Sequence, residues 1–178
     1  ITFKLESNEK LKEQYPFDFI YRITYALEDR TLKVILSVEN TGKERMYFAV
    51  GGHPGFRVPL EEGLNFEDYY LEFEKAAKPY RVGFTEACFI TGCDSAYALE
   101  EDRIIPLRHS LFDQDAIVLK HMDKKVTIKS AKGKKNITVS YPDFPYLGIW
   151  HMPKMEAPYV CIEPWSSLPS RDGIIEEI

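Results

Sequence analysis

The most unusual stretch of this 178-residue chain is residues 48–56, Phe-Ala-Val-Gly-Gly-His-Pro-Gly-Phe. A strand-like run ends in Gly51 and Gly52 and delivers His53 directly before Pro54. Paired glycines let a backbone bend sharply or lie close to a ligand, and proline holds the preceding residue extended. The outcome would be an imidazole fixed at a strand end, and imidazole is the side chain best suited to exchange protons near neutral pH. The same pattern also suits a histidine that simply packs at the surface end of a strand. A second segment, residues 159–165, closes an apolar run with Glu163, Pro164 and Trp165. A carboxylate at the end of a buried strand is costly unless paired or used. Burial raises its pKa, which suits a general base. A glutamate at an exposed strand rim, held in a surface ion pair, would read the same way. Trp165 offers a flat apolar face on which a sugar ring could stack. In a third segment, Asp113 and Asp115 stand ahead of an apolar run that begins at Ala116. They could bind sugar hydroxyls or merely cap a turn.

Other chemistries find little support. His109, His121 and His151 show no metal-ligand spacing such as His-x-x-x-His, so no metal is expected. His151, after Trp150 at a strand end, is a secondary candidate. Cys88, Cys93 and Cys161 are odd in number and irregular in spacing, which argues against a disulfide framework and for a reducing, cytoplasmic setting. There is no Gly-x-Ser-x-Gly elbow, phosphate-binding loop or dinucleotide fingerprint, and no cofactor is expected.

Strands must position these residues. Residues 19–27 alternate with Phe19, Tyr21, Ile23, Tyr25 and Leu27 on one side, and residues 31–39 place Leu32, Val34, Leu36 and Val38 likewise. A short polar turn between them predicts an antiparallel hairpin. Further strands are expected at 1–5, 45–50, 69–73, 104–107, 116–121, 125–130, 136–141, 147–150 and 159–162, with a turn at Gly133. A single helical turn is expected over 8–14, capped by Asn8 and stopped before Pro16. Many short strands with regular turns imply an all-β sandwich or another large antiparallel sheet assembly.

Composition agrees. The chain is 44% hydrophobic, 29% charged and 13% aromatic, which is globular and favours strands. The net charge of −5 excludes bulk attraction to nucleic acid or an anionic membrane. The basic cluster at 129–135 reads as a solvated hairpin tip. No run of 18 apolar residues exists to span a membrane as a helix. The chain opens at Ile1 inside a strand-like pattern, and both ends read as cut from something longer.

Taken in order, the segments Tyr-Pro-Phe-Asp-Phe at 15–19, Gly-Gly-His-Pro-Gly-Phe at 51–56, Leu-Phe-Asp-Gln-Asp-Ala at 111–116 and Ile-Glu-Pro-Trp at 162–165 resemble the aldose 1-epimerase family, and most of all its LacX-type bacterial branch. The resemblance implies a large antiparallel β-sandwich, the galactose mutarotase-like supersandwich, of which residues 1–178 would be the C-terminal two-thirds of one domain. It implies an enzyme that interconverts the anomers of a free hexose without a cofactor. Glu163 would take the proton of the anomeric hydroxyl, and His53 would donate one to the ring oxygen. Asp115, in preference to Asp113, would bind a ring hydroxyl, and Trp165 would shape the pocket. An arginine and a second histidine that the family carries in an N-terminal portion have no match here. Two other readings stay open. A sugar-phosphate mutarotase would need basic residues near the pocket, with Arg57 and Arg171 as candidates. A carbohydrate-binding or sensor protein would use the pocket without turnover. The expected partners are a small hexose and, through open sheet edges, further copies of the chain.

Overall fold

A computed structural model describes residues 1–174, and they divide into two compact units, residues 1–48 and 49 onward. The first unit is an antiparallel three-stranded sheet of β1 (Thr2–Glu6), β2 (Phe19–Glu28) and β3 (Thr31–Asn40). Between β1 and β2 lies the helical turn α1 (Glu9–Lys12), where the Asn8 side chain accepts a hydrogen bond from the Leu11 N–H. Ladder register sets Tyr21 opposite Val38, Ile23 opposite Leu36, Tyr25 opposite Val34 and Leu27 opposite Leu32. The expected alternation is therefore present. Cover is partial, however: residues 19–24 are half-buried, while Phe3, Leu27 and Leu32 stay exposed.

The second unit holds two antiparallel sheets. The four-stranded sheet runs β11 (Ile137–Ser140), β10 (Lys125–Ser130), β5 (Tyr69–Phe73), β8 (Ile104–Pro106). The six-stranded sheet runs β4 (Gly55–Arg57), β13 (Tyr159–Trp165), β12 (Tyr146–Trp150), β9 (Ile117–Lys120), β6 (Tyr80–Arg81), β7 (Ser95–Ala96). One core joins their inner faces: Leu71, Phe73, Val126 and Ile128 from the first, Leu119, Leu147, Ile149, Val160 and Ile162 from the second. Burying such side chains, at about 25 cal/mol per Å² of apolar surface, is what holds the layers together. The expected all-β sandwich is the architecture found.

Residues 45–50 do not form the expected strand. Their alternation has no ladder beside it and they are largely exposed; the chain first pairs at Gly51, in an isolated bridge to Trp165. The three-residue strand β4, hidden behind Gly51, Gly52 and Pro54, was not legible. The basic cluster does form the turn between β10 and β11, and two of its charges are paired: Lys129 with Glu72, and Lys132 with Asp68. Glu61 accepts hydrogen bonds from the backbone N–H groups of Lys134 and Lys135. Among the described residues, no helix is long and apolar enough to cross a membrane.

Candidate functional site

Side chains along a strand point alternately to opposite faces. On β13, Val160 and Ile162 enter the core, so Cys161, Glu163 and Trp165 face the other way. Register with β12 then aligns Trp150 with Cys161, Gly148 with Glu163 and Tyr146 with Trp165 on that same face. Two strands thus align these side chains in a row on the surface of the six-stranded sheet that points away from the core.

His53 reaches this row through a loop clamped on both sides. The Gly52 N–H donates to the Pro164 carbonyl at 3.0 Å, and the Ile162 N–H donates to the Pro54 carbonyl at 3.2 Å. The segment before it is tied as well: the Ser166 N–H donates to the Val50 carbonyl, and the Val50 N–H donates to the Ser166 hydroxyl. Gly51 has a specific reason to be glycine, since a Cβ there would sit 2.9 Å from the Pro164 carbonyl oxygen and 3.0 Å from the Trp165 ring. Close approach of loop and strand requires its absence.

The result is a short pairing: His53 Nε2 lies 3.3 Å from Glu163 Oε1. Glu163 is 3% exposed, while the His53 side chain is 60% exposed, so the imidazole stands between the carboxylate and solvent. Oε1 is buried and accepts no hydrogen bond among the described residues. Burial pushes the Glu163 carboxyl above the usual range. The neighbouring Asp115 charge adds to this, while His53 and the Trp165 indole oppose it. An open depression of about 340 Å³ lies beside the pair, lined by Gly51, Gly52, His53, Trp165 and Ser167 among others.

Asp115, with a positive φ of 70°, accepts a 2.8 Å hydrogen bond from Trp150 Nε1. The Trp150 ring in turn meets His53 edge-on, with centroids 5.5 Å apart. Asp113 lies near enough to His151 for its charge to act there. His151 is not part of the row. It is fully buried, with Nε2 3.1 Å from His109 Nδ1, Nδ1 2.8 Å from the Met152 carbonyl, and its ring against Phe112. Desolvation lowers its pKa and keeps it neutral. Arg57 lines a separate depression with Glu61, Glu62 and Lys135, so it does not mark the His53 site as a phosphate site.

Sequence reasoning missed Gly148, Trp150 and Cys161. Gly148 carries a signal only once strand register is known, because it lies directly opposite Glu163. A Cβ there would fall 3.1 Å from Glu163 Cβ and 3.2 Å from the Trp165 ring. Gly148→Ala should therefore lower stability by about 1 kcal/mol, at the lower end of overpacking costs, because a shift of a few tenths of an ångström relieves it. Urea unfolding measures this. Cys161 is a buried thiol whose pKa burial, assisted by Glu163, pushes up to about 11, so it stays protonated and is not a nucleophile at neutral pH.

This geometry meets a consistent set of relatives. The family model described as Aldose 1-epimerase matches residues 1–176. Protein LacX, plasmid, of Lactococcus lactis subsp. lactis is 33% identical over 171 residues, 94% of this chain and 57% of its own length. A galactose mutarotase related enzyme from Lactobacillus acidophilus is 35% identical with a TM-score of 0.89, over 98% of this chain and 58% of that one. A galactose mutarotase-like protein from Lactobacillus casei ATCC 334 is 32% identical with a TM-score of 0.86, over 97% and 60%. The chain belongs to the aldose 1-epimerase family and has the galactose mutarotase-like fold. It spans a little over half the length of the relatives it matches.

Proposed function

We propose that this chain carries the acid–base centre of an aldose 1-epimerase, which interconverts the α and β anomers of a free hexose. The observation that carries the reading is the 3.3 Å approach of His53 Nε2, which lines an open depression, to a buried Glu163 Oε1. Ring opening of a hemiacetal must remove a proton from the anomeric hydroxyl and deliver one to the ring oxygen. Those two oxygens share one carbon, so an acid and a base that lie close together can reach both. Glu163, poorly solvated, is the base and takes the hydroxyl proton. His53, solvent-facing, gives a proton to the ring oxygen as the C–O bond breaks. The open aldehyde turns about its C1–C2 bond, and closure reverses both transfers. Asp115 binds a ring hydroxyl, with Trp150 holding its second oxygen away. Trp165 forms one apolar wall for the ring.

Trp150→Phe should raise KM about tenfold or more with a smaller change in kcat, since a hydrogen bond to a charged carboxylate is worth about 1.5–3 kcal/mol. Steady-state polarimetry separates the two constants. The reading itself is tested by polarimetry of freshly dissolved α-D-galactose and α-D-glucose, with this chain and with the protein at its natural length. Acceleration by the protein at its natural length supports the assignment. Acceleration by neither overturns it in favour of a phosphorylated sugar or of binding without turnover.

A further inference from the structure

The two faces of β13 divide its residues so cleanly that the outer one collects three metal-binding side-chain types. Cys161 and Glu163 stand two apart on that strand, and the clamped loop adds His53. Nε2 of His53, Sγ of Cys161 and a carboxylate oxygen of Glu163 all lie within 4.8 Å of one another. We propose that these three atoms form a binding site for a divalent cation of borderline softness, Zn²⁺ or Co²⁺, and that the bound cation blocks the site's acid–base chemistry. The binding stands on geometry alone; the blocking rests on the function proposed above.

The donor set selects the ion. Nitrogen, sulfur and oxygen together suit Zn²⁺ and Co²⁺, whereas Mg²⁺ and Ca²⁺ take oxygen ligands. Bonds of about 2.0–2.3 Å place tetrahedral ligand atoms between three and four ångströms apart. The His53–Glu163 separation of 3.3 Å already satisfies this. Cys161 needs only a small approach, which the solvent-facing imidazole can follow. Three protein ligands leave a fourth position open toward the depression, for water.

A second observation points the same way. Glu163 Oε1 is buried and accepts no hydrogen bond among the described residues, although buried polar atoms are nearly always satisfied. Such an orphan costs about 1–3 kcal/mol, and a cation between it, Nε2 and Sγ would remove the cost. Opposite Cys161 stands Gly55, whose missing side chain leaves the thiol side open. On binding, the Cys161 S–H bond breaks, its proton passes to solvent and the sulfur–metal bond forms; nothing is oxidised or reduced. The ligands are separated widely in the chain, which is why no sequence spacing announced them.

The test is Co²⁺ titration of the protein at its natural length, read by the near-ultraviolet thiolate-to-cobalt charge-transfer band, with Zn²⁺ titrated into the mutarotation assay alongside. The wild-type protein should show the band at one Co²⁺ per chain, and both Cys161→Ser and Cys161→Ala should lose it. Outer-shell changes alone cost about 10–100-fold in metal affinity, so Zn²⁺ inhibition should weaken at least tenfold in both variants while the uninhibited rate stays unchanged. A band absent from wild type, or one that persists in the variants through Cys88 or Cys93, overturns the site. A normal band in a protein without mutarotation keeps the cation site and removes the proposed function. Equal Zn²⁺ inhibition of wild type and both variants overturns the blocking.

Discussion

Replacing Glu163 by Gln or His53 by Asn should each slow mutarotation by about 10²–10⁴-fold, the range expected when a positioned acid or base is lost. Glu163→Gln keeps the side chain's shape, and His53 is 60% exposed, so shortening it leaves the core intact; the loss therefore reads proton transfer rather than packing. In the proposed mechanism the two groups act in one step on two oxygens of one carbon. The double variant should therefore fall little below the slower single variant, because residues that act as a unit are far from additive. The pH profile supplies a second readout. Glu163 must be ionised to act as a base, and burial holds its pKa above that of an ordinary glutamate. The acidic limb of kcat/KM should lie correspondingly high in the parent and disappear from what activity remains in Glu163→Gln. Rates within about threefold of the parent in both single variants, far inside the expected loss, would remove the assignment.

Much of the fold could be read because burial and alternation agree. The run 69–73 is buried at every second position, and its strand bounds match the expectation residue for residue. Residues 45–50 show where the argument fails. Alternation there has no neighbouring ladder, and a strand is made by its partner as much as by its own pattern. The site was legible in the same divided way. His53 and Glu163 stand in segments whose glycines, prolines and strand-end position mark them out. Their separation was not legible, because it depends on the Gly52 and Pro54 hydrogen bonds to β13. Gly148 and Trp150 acquire meaning only from the register that lays them against Glu163 and Cys161. A one-residue slip would turn both to the core. His151, attractive in the sequence, is a packed neutral histidine bridged to His109.

The carboxylate proposed as the base also burdens the fold, and Glu163→Gln should expose this as a gain in stability at neutral pH. Glu163 is almost fully buried and its Oε1 has no hydrogen-bond donor among the described residues, so the charged form is poorly compensated. Its folded pKa is raised above the model-compound value of 4.5, chiefly by desolvation. The folded state therefore binds the proton more tightly than the unfolded chain does. The contribution of neutral Glu163 to stability is fully present below the unfolded value and is lost as pH climbs through the folded value. Glutamine, which never ionises, escapes that loss. The variant should match the parent at pH 4 and below, pull ahead through the window above it, and hold a constant lead once Glu163 is ionised in the parent. An uncompensated buried polar group costs about 1–3 kcal/mol. Each kcal/mol moves Tm by about 2–4 °C in a chain of this size, so the lead should be a few degrees and measurable by calorimetry across pH. A variant less stable than the parent by the same margin at every pH would mean that His53 and Trp165 more than repay the desolvation of the carboxylate. Stability lost to an ionised group, and recovered when that group is neutralised together with the activity, is what a functional carboxylate predicts and a structural one does not.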